Sequence, residues 1–130
     1  MEGLETVDRI ARALAGVEAV LGRSGRPEYR VAGRWFAAVR APRRDALDPA
    51  TGEPMDDVLL VAVRDLDAKQ AFLADPGLAC FTTPHFEGYA AVLHRLRDVG
   101  AVDEARLAEL LRHAWEARAP ARRRRSGAGG

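Results

Sequence analysis

Arg26-Pro27-Glu28-Tyr29-Arg30-Val31-Ala32-Gly33-Arg34-Trp35-Phe36-Ala37 reads as two short strands around a tight turn. Tyr29 to Val31 carries the aromatic and β-branched residues that strands favour, and Ala32-Gly33 suits the reversal. In the second strand, Arg34 to Arg40, the two-residue period sends Trp35, Ala37 and Val39 to one face. Arg34, Phe36, Ala38 and Arg40 go to the other. A hairpin of this kind implies an antiparallel pairing, and the remaining elements are placed outward from it. Upstream, Leu4, Val7, Ala11 and Leu14 recur at helical spacing, Gly16 offers a stop, and Gly22, Gly25 and Pro27 break the pattern before the hairpin.

Downstream, residues 41–56 hold Pro42, Pro49, Pro54 and Gly52 with neither helical nor strand period, and read as an extended loop. Asp57 to Arg64 encloses the run Val58-Leu59-Leu60-Val61-Ala62-Val63. It is apolar at both parities, as in a strand covered on both faces. Asp67 is placed to cap the next helix, with Gln70 at the reciprocal position and Phe72 and Leu73 as packing residues, and Asp75-Pro76-Gly77 ends it. Leu78 to Thr82 and Ala90 to Arg97 read as two further strands. Asp103 then caps a last helix, with Val102 and Leu107 spaced as a staple and Leu107, Leu110, Leu111, Ala114 and Trp115 as its apolar stripe. The order is α-β-β-β-α-β-β-α, an α+β two-layer arrangement.

The 130 residues suit one core, assigned to residues 1–118. No apolar run approaches the eighteen or so residues a membrane span needs. The start, Met1-Glu2-Gly3-Leu4-Glu5, is acidic and lacks the apolar stretch of an export signal, so a cytoplasmic location is expected. Cys80 is the single cysteine, which excludes an internal disulfide. The formal charge of +1 divides unevenly. Arg122 to Arg125 lie in a tail, residues 119–130, too poor in apolar residues to offset its ordering cost and expected to be disordered, and residues 1–118 carry 16 basic and 19 acidic groups, net −3. Between residues 23 and 44, seven arginines face only Glu28, so that segment is +6. Nucleic-acid affinity rests largely on phosphate neutralisation, so any such binding must be local.

Thr83-Pro84-His85-Phe86-Glu87-Gly88-Tyr89, followed by Ala90-Ala91-Val92-Leu93-His94-Arg95-Leu96, joins the hairpin and the Asp75-Pro76 helix end in a pattern that resembles the MmcQ/YjbR family, over residues 4 to about 118. That resemblance implies one antiparallel five-stranded sheet packed by helices, related to the secretion-chaperone-like and CyaY-like folds. It also implies DNA binding through a double-wing arrangement. The 41–56 loop departs from the family pattern, where the link is shorter, and is either a decorated wing or a neutral insertion.

Candidate nucleic-acid contacts are Arg26, Arg30 and Arg34 around the hairpin, Arg43 and Arg44 beyond it, and His85, Tyr89 and Arg95 near the recognisable turn. Solvated strand faces account for the same arginines equally well. For His85, Glu87 and Tyr89 three readings stand: a structural turn helped by Gly88, a ligand or DNA contact, and acid-base chemistry. On the last strand Val92, His94 and Leu96 share one face, and Leu93, Arg95 and Arg97 the other, so that only one of the two is expected to be wet. Catalysis lacks its usual constellations. Cys80 sits between Ala79 and Phe81 in an apolar setting, the three histidines fall on separate elements, and the glycines match no phosphate loop. The expectation is a non-enzymatic protein with no cofactor and no metal. It contacts DNA weakly and salt-dependently, or alternatively binds a peptide or small ligand, as a monomer or a homodimer.

Overall fold

Alternation and turn chemistry build the sheet around the hairpin already read from the sequence. The computed structural model describes residues 1–120. Helix α1 spans Leu4–Arg12 and is followed by strands β1 (Val17–Leu21), β2 (Pro27–Val31), β3 (Arg34–Val39) and β4 (Val58–Ala62). Helix α2 (Leu66–Leu73), strand β5 (Ala91–Arg95) and helix α3 (Glu104–Arg118) complete the order, with short 3-10 segments at Pro84–Phe86 and Leu96–Ala101. The five strands form one antiparallel sheet in sequence order, β1-β2-β3-β4-β5. This is the expected five-stranded antiparallel α+β fold.

Two strands differ from expectation in which residues they use. Val17–Leu21 forms the edge strand β1, whereas of Leu78 to Thr82 only Phe81 pairs, as a single bridge to Leu93. The Val-Glu-Ala-Val-Leu run has no strict alternation, and pairing with β2 decides its conformation over local preference. The helix after β4 starts one turn-position earlier than Asp67. Asp65 is its cap, the carboxylate accepting the Ala68 N–H at 2.8 Å. Asp103 caps α3 as expected, accepting from Ala105 N–H at 2.9 Å.

The β2–β3 turn is Ala32-Gly33, both in the left-handed region at φ 52° and 77°. That is the backbone a two-residue hairpin demands, and Gly33 meets it without strain while Ala32 does not. Between Tyr29 and Arg30 the register slips, Tyr29 facing Ala37 while Arg30 faces Trp35. Phe36 is thus an extra residue in β3, and the bulge lets Phe36 and Ala37 both be fully buried in place of the plain alternation.

The helices share one layer. Tyr29 of β2 donates its hydroxyl to Asp8 of α1 (3.0 Å), Trp115 of α3 donates its indole N–H to the Ala15 carbonyl (2.8 Å), and Phe72 of α2 meets the His113 ring of α3 at 5.0 Å. Burial and that acceptor together push the Tyr29 hydroxyl pKa up. The core joins Val7 and Ala11 of α1, Tyr29, Val31, Val39, Leu59, Val61 and Val92 of the sheet, and Leu107, Leu110, Leu111 and Trp115 of α3. Gly3 opens α1 at φ 82°, and a side chain there would collide with the Leu96 carbonyl at 2.1 Å.

Ala32→Asn, which creates an Asn-Gly turn, is expected to stabilise the fold by about 1 kcal/mol through relief of the left-handed alanine. Urea denaturation at neutral pH, read as a raised midpoint with an unchanged slope, checks it.

Candidate nucleic-acid interface

An arginine is useful to a phosphate only where its guanidinium is both accessible and uncompensated, and the candidates divide on that test. Arg26 and Arg34 lie at opposite ends of β2 and its hairpin, since Leu21 faces Pro27 whereas Val31 faces Arg34. The three hairpin arginines therefore do not converge on one wing tip. Arg30 is committed to Glu28, two residues away on the same strand face. Arg26 is half-buried, and Arg43 and Arg44 are exposed on the 41–56 loop, well separated in the pairing scheme from Arg34.

Arg95 is a correction. It is 8% exposed, and its guanidinium is bonded to Asp48 (2.8 Å) and Asp57 (2.8 and 2.9 Å), two carboxylates that are themselves buried. Burial works against its charge, yet the hydrogen bonds it donates to Asp48 and Asp57 hold its pKa above the ordinary value. Arg97, half exposed, extends the network to Asp48 at 3.3 Å. The Arg95 hydrogen bond, with the Ala50 N–H, in turn holds the Asp48 carboxyl below the usual range. Neither face of β5 is wet, because His94 on the other parity is 1% exposed. The 41–56 loop supplies Asp48 and folds tightly to do so. Asp48 N–H donates to the Glu53 carbonyl at 2.8 Å, Gly52 N–H to the Asp48 carbonyl at 2.7 Å, and Met55 N–H to the Ala46 carbonyl at 2.9 Å.

The His85–Tyr89 turn is held by an amine. Lys69 of α2 is 1% exposed and donates to the carbonyls of Phe86 and Tyr89 (2.8 Å for the latter) and, more distantly, Glu87. Desolvation pushes its pKa down while the Glu87 carboxylate raises it. His85 is exposed and packs edge-on against Phe86, whose ring also receives the Arg40 guanidinium at 5.1 Å. Arg40 is further spoken for by Asp45 at 2.5 Å.

Arg34 and Tyr89 do come together. With Arg64 and Arg118 they line an open cleft of about 360 Å³ at the end of the sheet where β3 starts and β4 stops, closed off by Val63, Ala90 and Ala117. Arg34 is exposed and donates one hydrogen bond to the Arg118 carbonyl at the end of α3, 3.2 Å away. The Arg118 guanidinium lies 4.9 Å above the Trp35 ring. Arg64, 68% exposed at its side chain, makes a long contact of 3.6 Å to Asp65. Tyr89 is 44% exposed. Sequence reading missed Arg64 and Arg118. They stand at a strand end and a helix end, and only the β3–β4 pairing and the packing of α3 on β3 make them neighbours of Arg34.

His94 and His113 are fixed as neutral acceptors. His94 Nε2 accepts the Ala79 N–H (3.2 Å) while its Nδ1–H donates to the Arg95 carbonyl (3.0 Å), and His113 Nε2 accepts the Arg64 N–H (3.0 Å). Burial lowers both pKa values, and Arg64 adds to it at His113. Cys80 is likewise inert, its thiol pushed up to about 12 by burial and Asp75. Among the described residues no three His, Cys, Asp or Glu side chains stand together in a way that could hold a metal ion, and no helix is long and apolar enough to cross a membrane.

The protein is thus a small α+β domain built on one five-stranded antiparallel sheet, with an arginine-lined cleft at one end. It belongs to the YjbR family, whose model matches residues 12–117. Proteins of Mycobacterium bovis and of two Mycobacterium tuberculosis strains, each named only as uncharacterized, are 36% identical to it over 121 residues, 90% of this chain and 91% of theirs. No solved structure matches the chain.

Lys69→Met leaves the carbonyls of Phe86 and Tyr89 without their donor and is expected to cost about 2–3 kcal/mol, with faster amide exchange confined first to residues 84–90. Urea denaturation and hydrogen exchange measure the two effects. Stability is also expected to decline as pH falls below about 6.5, because unfolded histidine takes up a proton there that folded His94 and His113 refuse. Urea midpoints at pH 7.5 and 5.5 test this, and the double variant His94→Gln/His113→Gln, which keeps an acceptor at each site, is expected to lose most of the difference.

Proposed function

We propose that this chain is a non-enzymatic, cytoplasmic DNA-binding module that grips the phosphate backbone in the cleft formed by Arg34, Arg64, Arg118 and Tyr89. One observation carries the reading. Three arginines from β3, the end of β4 and the end of α3 meet around an open concavity, while Arg30, Arg40 and Arg95 are each occupied by carboxylates. Guanidinium groups suit phosphate oxygens, and the exposed Tyr89 ring adds a surface on which an unpaired base can stack. Asp65 beside Arg64 and the net −3 of residues 1–118 keep the affinity low and local. The described chain ends at Pro120, and Arg122 to Arg125 follow Arg118 by four to seven residues, a maximal chain reach of about 14–25 Å from the cleft. Those tail residues lie outside the described ones, and they enter here only through that reach.

The alternative, a peptide or small-ligand module, is favoured by a groove of about 340 Å³ between α1 and β1, lined by Leu4, Asp8, Ala19, Leu21, Pro27 and Tyr29 among others.

Each phosphate neutralised adds about −0.9 to the slope of log affinity against log salt, so Arg34→Ala/Arg64→Ala is expected to flatten that slope by about 1.8 units. Titration of the full chain with a fluorescent duplex across a salt series provides the measurement. An unchanged slope in the double variant, coupled with its loss when Arg122 to Arg125 become Gln, would assign all binding to the tail and reject the cleft.

A further inference from the structure

The two edges of the sheet are treated differently. At β5 the outer edge is taken by Phe81, whose N–H donates to the Leu93 carbonyl (2.8 Å) and whose carbonyl accepts the Leu93 N–H (2.9 Å). At β1 no strand of the described residues covers the edge, which has none of the proline, lysine or bulge that natural sheets use to blunt such an edge, and Leu21 there is 70% exposed.

Which backbone groups of β1 face outward follows from its pairing with β2. Gly22 N–H donates to the Arg26 carbonyl at 2.8 Å, and Pro27, opposite Leu21, has no N–H to offer. Because hydrogen-bonded and open pairs alternate along antiparallel strands, Glu18 and Val20 turn their amides and carbonyls to β2, while Ala19 and Leu21 turn theirs away from the sheet, as does the Val17 carbonyl, the Val17 N–H donating to the Leu14 carbonyl at 3.4 Å.

We propose that β1 pairs antiparallel with β1 of a second copy of this chain, about a twofold axis at Ala19, joining two five-stranded sheets into one of ten strands. In that register the outward groups of Val17, Ala19 and Leu21 meet those of Leu21, Ala19 and Val17. Leu21 gains Val17 of the second copy as a neighbour, and Glu18, the one charge of the strand, stands opposite Val20. Each Glu18 keeps its own Arg30 beside it across the β1–β2 ladder. Sliding the copies by one hydrogen-bonded step toward Gly16 would set Glu18 directly against Glu18, and sliding the other way would set Val17 against Arg23, beyond the end of β1, so charge opposes the first shift and strand length the second. The groove between α1 and β1 then opens along the seam, since Ala19 and Leu21 line both.

This pairing stands independently of the arginine cleft, and its test does not involve DNA. Light scattering of the full chain, run between about 5 and 200 µM, is expected to pass from one chain mass to two, and Ala19→Pro to raise the dissociation constant at least about tenfold. Proline at 19 deletes an outward N–H and no bond of the β1–β2 ladder, so the circular dichroism spectrum stays that of the wild type. A second readout needs no variant: in the wild type, amide exchange at Ala19 and Leu21 slows with rising concentration while that at Glu18 and Val20 does not. A chain that remains monomeric throughout, with β1 amides indifferent to concentration, overturns the proposal and leaves the edge to a foreign strand. A dimer undiminished by Ala19→Pro overturns it as well.

Discussion

Arg95 is the charge around which the lower half of the molecule is arranged. A guanidinium enclosed in protein is tolerable only if its hydrogen-bonding groups and its charge are answered at close range. The chain answers with two carboxylates from separate segments, Asp48 in the 41–56 loop and Asp57 at the entry to β4. Asp57 also accepts the Arg97 N–H at 3.0 Å, which fixes the chain where β5 passes into the 3-10 segment. An otherwise irregular loop is thereby given a defined place, since its Asp48 is the counter-charge β5 requires. Through Asp48 the loop serves the interior of the protein.

The same economy removes several of the described arginines from the reach of a phosphate. Glu28 answers Arg30, Asp45 answers Arg40, and Asp75 and Glu109 share Arg106. Within the segment that is +6 by composition, Arg30 is answered by Glu28 and Arg40 by Asp45 just beyond it. The cleft differs from the remaining exposed arginines in drawing its cations from three elements. Local charge density, and not net charge, is the quantity that separates the arginine cleft from the rest of the surface.

Much of the architecture was legible because it depends on short-range rules. The helical spacing from Leu4, the Ala32-Gly33 turn, the doubly apolar β4 and the Asp103 cap are all local statements. What escaped depends on partners distant in sequence. Val17–Leu21 becomes a strand because β2 lies beside it, and Leu78 to Thr82 fails to become one because only Phe81 reaches β5. The bulge at Phe36 overturns a simple parity reading by one residue. In the cleft, Arg34 and Tyr89 were recognisable from their segments, while Arg64 and Arg118 were not, since nothing local distinguishes a cation at a strand end from one at any other solvated position. The burial of Arg95 was hidden for the same reason: its two carboxylates lie 47 and 38 residues away.

Lys69 is the sole lysine in 130 residues and is 1% exposed beneath the carbonyls of the 84–89 turn. The native surface therefore presents no side-chain amine at all. Acylating reagents, and enzymes that attach acyl groups or small protein tags to lysine, find no lysine amine until the turn opens. A label appearing on Lys69 would report the loosening of that corner.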